Sequence, residues 1–229
     1  MNKRIIVALD FPSIESTLPC LDKLDPSLCS VKIGKELFTS SGPESVKQAT
    51  ARGFDVFLDL KFHDIPNTVA KAVVAAAEMG VWMLNVHAGG GYKMLAEARA
   101  ALDSFGEDKP LLIGVTLLTS FGPNDLVEVG VSDSAEAHVL RLAQLSKDAG
   151  LDGVVCSARE VGMLREKCGE KFYLVTPGIR RNRDKKNDQE RVQTPTEAIA
   201  NGSDFLVMGR PVTESKDPMG VICGIYESI

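Results

Sequence analysis

The chain has 229 residues, 44% of them hydrophobic and 25% charged, and a net charge of −5. This is an ordinary globular composition, and its acidic balance argues against a general nucleic-acid binder. No apolar run approaches the roughly 18 residues that span a membrane, and five scattered cysteines without C-x-x-C spacing suit a reduced, cytoplasmic protein.

The first apolar run, 5–9, follows Lys3-Arg4 and ends at Asp10. It is too short for a signal-peptide core and reads as a strand. Runs of strand length recur at 29–33, 56–60, 83–86, 111–117, 153–156, 172–175 and 205–208. Amphipathic stretches separate them, at 14–24, 44–52, 68–79, 93–102, 135–149, 159–167 and 196–200. Eight strands alternating with helices predict an α/β fold with a parallel sheet, and eight is the number that closes a (β/α)8 TIM barrel. A doubly wound open sheet is the competing arrangement. No linker or shift in composition divides the chain, so 1–229 is expected to form one barrel domain.

In either fold the chemistry gathers at the carboxyl ends of the strands. Strand one ends in Asp10, strand two carries Lys32, and strand four carries Asn85 and His87. Strand five leads to Thr119-Ser120, strand six ends in Cys156-Ser157-Ala158, strand seven in Pro177-Gly178-Ile179-Arg180, and strand eight in Gly209-Arg210. Strand three runs into Asp59-Leu60-Lys61-Phe62-His63-Asp64-Ile65-Pro66-Asn67-Thr68. Asp59 and Lys61 are two apart and share a strand face, while Leu58 and Leu60 point the other way. Surface ion pairs usually sit on helices at i,i+4 spacing. Charges on the inner face of a strand are costly unless they pair, so this stretch is the candidate reacting centre. Asp64 falls in the following turn, and Pro66 suits the first position of a helix.

Lys32 interrupts an apolar strand, which makes it either an edge-strand lysine or a site residue. Asp10 either caps the next helix or joins the same site. Arg180 and Gly209-Arg210 end strands seven and eight, where barrels often hold phosphate. His87-Ala88-Gly89-Gly90-Gly91 is either a phosphate cradle or a tight turn. No G-x-G-x-x-G is present, so no nucleotide cofactor is expected. His63 and His87 lack metal-ligand spacing and read as hydrogen-bonding or packing groups, His138 as structural, and no metal is expected. The basic segment from Arg180 to Gln189 is either a solvated loop or a lid.

Taken together, these motifs resemble the orotidine 5′-phosphate decarboxylase family in its shorter, bacterial-type form. The resemblance rests on Ala8-Leu9-Asp10, Val31-Lys32-Ile33-Gly34, the stretch from Asp59 to Thr68 and Val115-Thr116-Leu117-Leu118-Thr119-Ser120. Thr176-Pro177-Gly178-Ile179-Arg180 and Met208-Gly209-Arg210-Pro211 complete it. It implies cofactor-free conversion of orotidine 5′-phosphate to UMP and CO2, the last step of de novo UMP synthesis. Lys61 would then donate a proton to C6, Asp59 would sit against the substrate carboxylate, and Lys32 would pair with Asp59 and touch the ribose. Asp10 would hold ribose hydroxyls, and Thr119 and Ser120 would contact the pyrimidine. Pro177 counts among the substrate-binding residues, and Arg180, Gln189, Gly209 and Arg210 would address the phosphate. Asp64 and Thr68 would reach into a neighbouring subunit, which implies a homodimer with shared sites. The segment 181–186 departs from the family in being highly charged and without glycine. The alternatives are a Mg²⁺-dependent sugar-phosphate lyase or decarboxylase of the same superfamily, or a non-catalytic phosphate-ligand barrel.

Overall fold

The computed structural model describes residues 3–180 and 193–229. Its strands are β1 (Ile5–Ala8), β2 (Cys29–Gly34), β3 (Val56–Phe62), β4 (Met83–His87), β5 (Leu111–Val115), β6 (Gly153–Val155), β7 (Tyr173–Thr176) and β8 (Phe205–Met208). They pair in parallel, in chain order, and β1 pairs again with β8, Ile5 opposite Leu206 and Val7 opposite Met208. That last pairing closes the sheet into a (β/α)8 barrel and rules out the open alternative.

The strands read as apolar runs because both of their faces are covered. Ile6, Phe57, Met83, Ile113, Val175 and Phe205 meet inside the barrel. Their sequence neighbours Val7, Val56, Leu58, Leu84 and Leu206 pack outward in the layer beneath the helices. Phe57, only 1% exposed, fills the barrel axis; a phenylalanine so placed resists truncation to alanine by about 3–5 kcal/mol.

The same alternation carries polar residues inward near the strands' carboxyl ends. After Phe57 the inward register of β3 holds Asp59 and Lys61, and after Met83 that of β4 holds Asn85. The helix Pro66–Ala77 follows β3 and opens on its proline, where the missing N–H is no loss.

Four helices lie outside the amphipathic stretches read from the sequence: Lys35–Ser41, Pro123–Glu128, Arg210–Thr213 and Pro218–Tyr226. The first three are too short to display a helical period. The fourth, PMGVICGIY, has almost no polar face to contrast with its apolar one. β5 ends at Val115 rather than 117, because Leu117 leaves the sheet for a second cluster beside Val139 and Val154. Among the described residues no helix is long and apolar enough to cross a membrane.

Candidate active site

Four charged side chains form a row across the mouth of the barrel. Lys32 Nζ lies 3.1 Å from Asp10 Oδ1 and 3.3 Å from Asp59 Oδ2, and Lys61 Nζ lies 2.6 Å from Asp59 Oδ1. Asn85, fully buried, donates from Nδ2 to the same Asp59 oxygen at 2.7 Å. Burial opposes charge on both Lys32 and Asp59, yet their partners outweigh it. The Asp59 and Asp10 carboxylates hold the Lys32 pKa above its ordinary value, and Lys32 and Lys61 hold that of Asp59 below its own. Both groups therefore stay ionised across the neutral range.

The backbone is unusual at the same point. Lys61 has φ 54°, the only positive value among the described non-glycine residues. Left-handed backbone at such a residue costs about 1–3 kcal/mol and persists where the surroundings impose it. Here the Lys61 N–H donates to Asn85 Oδ1 at 2.8 Å. Gly34 presents a different constraint. A Cβ there would stand 2.9 Å from Lys32 Nζ and 3.3 Å from Asp10 Oδ1, so the absent side chain leaves room for that ion pair.

Two lobes of open space meet at this row. The larger, about 570 Å³, is lined by Asp10, Lys32, Pro177, Arg180, Gly209 and Arg210, with Phe11, Glu36, Thr213 and Glu214 also in its wall. The smaller, about 150 Å³, is lined by Lys32, Asp59, Lys61 and Thr119 against the apolar Phe57, Val115 and Leu117. Lys32, Pro177 and Val207 belong to both. A molecule spanning them would place an anionic end among arginines and a flat, mostly apolar end beside Asp59 and Lys61.

Nine of the residues expected from the sequence thus line one continuous site: Asp10, Lys32, Asp59, Lys61, Thr119, Pro177, Arg180, Gly209 and Arg210, with Gly178 also in the wall of the larger lobe. Asp10 does not cap the next helix; Ser13 does. Asp64, Thr68 and Ser120 are exposed and line neither lobe. The Asp64 carboxylate accepts the N–H of Ile65 at 2.6 Å. Gln189 and the charged segment 181–188 lie outside the described residues. Ala88–Gly90 forms a 3₁₀ turn into the helix Gly91–Ala101, also away from both lobes. The His63 and His87 rings meet tilted at 44°, with centroids 5.6 Å apart. Burial, with His63, Lys35 and Lys61 nearby, pushes the His87 pKa down to about 4. Asn85 is the residue whose part the sequence did not disclose, although a lone carboxamide within Met83-Leu84-Asn85-Val86 was the available signal.

Residues 3–222 match the family model described as Orotidine 5'-phosphate decarboxylase / HUMPS family. The chain belongs to that family. It is 56% identical over 228 residues to the orotidine 5'-phosphate decarboxylase of Shewanella sediminis, covering all of this chain and 97% of that one. To the same-named protein of Legionella pneumophila strain Corby it is 54% identical over 229 residues, with both chains fully covered. Among solved structures, orotidine 5'-phosphate decarboxylase from Lactobacillus acidophilus superposes with a TM-score of 0.88 at 39% identity, covering 99% of this chain and 98% of the other. An uncharacterized conserved protein from Geobacillus kaustophilus gives 0.87 at 38% identity, with 98% and 99% covered. The likeness to these relatives runs nearly the whole length of the chain, and the charged row stands at the mouth of its barrel.

Proposed function

We propose that this family member decarboxylates orotidine 5′-phosphate to UMP and CO2, without a cofactor, as the last step of pyrimidine nucleotide synthesis. The observation that carries the reading is the row Asp10–Lys32–Asp59–Lys61 at the junction of an arginine-lined lobe and a narrow, largely apolar one. The phosphate goes to Arg180, Gly209 and Arg210, the ribose to Asp10 and Lys32, and the pyrimidine beside Thr119.

In the reacting step the bond from C6 to the carboxylate breaks and its electron pair stays on C6. The ring delocalises that pair poorly, so a fixed positive charge at C6 is what the site must supply. The Lys61 ammonium supplies it and then transfers one proton to C6 as general acid, leaving a neutral amine. Asp59 faces the substrate carboxylate and disfavours it before departure, while Lys32 and Asn85 keep Asp59 ionised and in place. Phosphate binding is remote from the broken bond, so its energy goes into ordering the site.

Asp64 and Thr68 are exposed on the same rim as Ile65, 67% exposed, and Tyr92, 54% exposed. Large apolar side chains beside exposed polar ones suit a homodimer in which each subunit completes its partner's site with Asp64 and Thr68. We assign 1–229 to one domain and Ser120 and Gln189 to the closed, substrate-bound site. The protein is placed in the cytoplasm, where its unpaired thiols stay reduced. Neither nucleic acid nor membrane is a partner in this reading.

The test is the loss of pyrimidine absorbance from orotidine 5′-phosphate, with and without EDTA. Turnover insensitive to EDTA is expected. Silence with orotidine 5′-phosphate, or turnover only of a sugar phosphate with Mg²⁺, overturns the reading.

A further inference from the structure

We infer that Asn85 is a positioning residue for the decarboxylation: one carboxamide fixes both the backbone of Lys61 and the carboxylate of Asp59. The pairing of β3 with β4 changes register here. Leu58 pairs with Leu84 and Phe62 with Val86, so three residues of β3 lie opposite Asn85 alone. Both inward residues of that irregular stretch, Asp59 and Lys61, therefore face a single inward residue of β4.

A regular ladder would give the Lys61 N–H a carbonyl partner across the strands. The shifted register removes it, and Asn85 Oδ1 takes its place at 2.8 Å. The other end of the amide donates to Asp59 Oδ1 at 2.7 Å, the oxygen that Lys61 Nζ also reaches at 2.6 Å. A small ring of contacts results, running Asn85, Lys61 backbone, Lys61 ammonium, Asp59 and back to Asn85. With the Lys61 backbone at φ 54°, the side chain leaves β3 at an angle that extended backbone would not give. Asn85 is fully buried and makes both bonds with opposite ends of one group, which neither aspartate nor leucine at this position reproduces at neutral pH.

The inference rests on the decarboxylase reading, and its test begins from parent protein that turns over orotidine 5′-phosphate. In Asn85→Ala the single-turnover rate is expected to fall about 10²-fold while UMP affinity stays within about threefold, because UMP lacks the departing carboxylate and is held mainly in the other lobe. Asn85→Asp keeps shape and volume and carries the decision should Asn85→Ala not fold. The carboxyl it introduces bonds to Asp59 only when protonated. Its rate relative to parent is therefore expected to rise about tenfold per unit as pH falls while that carboxyl is ionised. A rate for Asn85→Ala near that of parent, an equal loss of rate and UMP affinity, or a pH-independent ratio for Asn85→Asp overturns the inference. Parent protein inert towards orotidine 5′-phosphate overturns the decarboxylase reading instead, and the role of Asn85 with it.

Discussion

Lys61 Nζ and Asp59 Oδ1 stand 2.6 Å apart, and Lys32 grips the other oxygen of the same carboxylate at 3.3 Å. One aspartate is thus shared between two ammonium groups at the junction of two lobes. The arrangement fixes the Lys61 ammonium at that junction, and in the proposed reaction it would tie stability to the same residues as turnover.

Replacing Lys61 by alanine removes the fixed charge and, in the proposed mechanism, the proton source. Turnover of Lys61→Ala is expected to fall by more than about 10³-fold, with UMP binding largely kept, since the phosphate lobe is untouched. Steady-state rates and calorimetric UMP titration check it. Near-normal activity in this variant would remove Lys61 from the role of acid.

Asp59→Asn keeps the shape of the side chain but leaves Lys32, 8% exposed, with Asp10 alone. Breaking a buried ion pair from one side costs about 3–5 kcal/mol, to be read from the urea midpoint at pH 7. The sign with pH follows from the lowered Asp59 pKa. The pair's contribution is whole above the ordinary value of 3.8 and is lost as pH falls through the depressed folded value, so parent and variant converge only in strong acid.

His87 gives a separate pH signature. Its folded pKa is about 4 against an ordinary 6.5, so between those values the unfolded chain binds the proton that the folded one refuses. Stability through this group is flat above pH 6.5 and falls as pH drops towards 4. The stability difference between parent and His87→Gln should therefore shrink in parent's disfavour across that window. Thermal melts at half-unit steps check it; a constant difference would contradict a neutral, half-buried His87.

Asp64 is exposed and outside the row formed within one chain. If it completes the partner's site, Asp64→Ala and Lys61→Ala proteins, each inactive, should regain part of the parent rate when mixed and allowed to exchange subunits. Independent proof of exchange without recovered activity would count against shared sites.

Of the five cysteines, Cys20, Cys29, Cys156 and Cys168 are buried and Cys223 is exposed. Burial, with the Asp25 carboxylate nearby, pushes the Cys29 thiol up to about 12. Iodoacetamide on native protein should label Cys223 alone, and all five only after denaturation, as counted by intact mass.

The barrel and most of its site were legible in the residues because their signals are local. An apolar run such as 205–208 marks a strand without knowledge of its neighbours, and the spacing of Asp59 and Lys61 puts both on one face of whatever sheet forms. Arg180 and Arg210 likewise stand at strand ends that any α/β sheet turns towards its ligand. Short helices such as Arg210–Thr213 were not legible, because four residues complete barely one turn.

The sequence by itself therefore determined the order of elements, the inward charges and the family. Each of these depends on residue type and on spacings of two to four positions. The tertiary structure alone decided that β1 pairs with β8, that Lys32 divides itself between Asp10 and Asp59, and that Asn85 holds the Lys61 N–H from 24 residues away. Such contacts depend on register between distant strands. A one-residue slip in register would turn every inward side chain outward while leaving each local pattern unchanged.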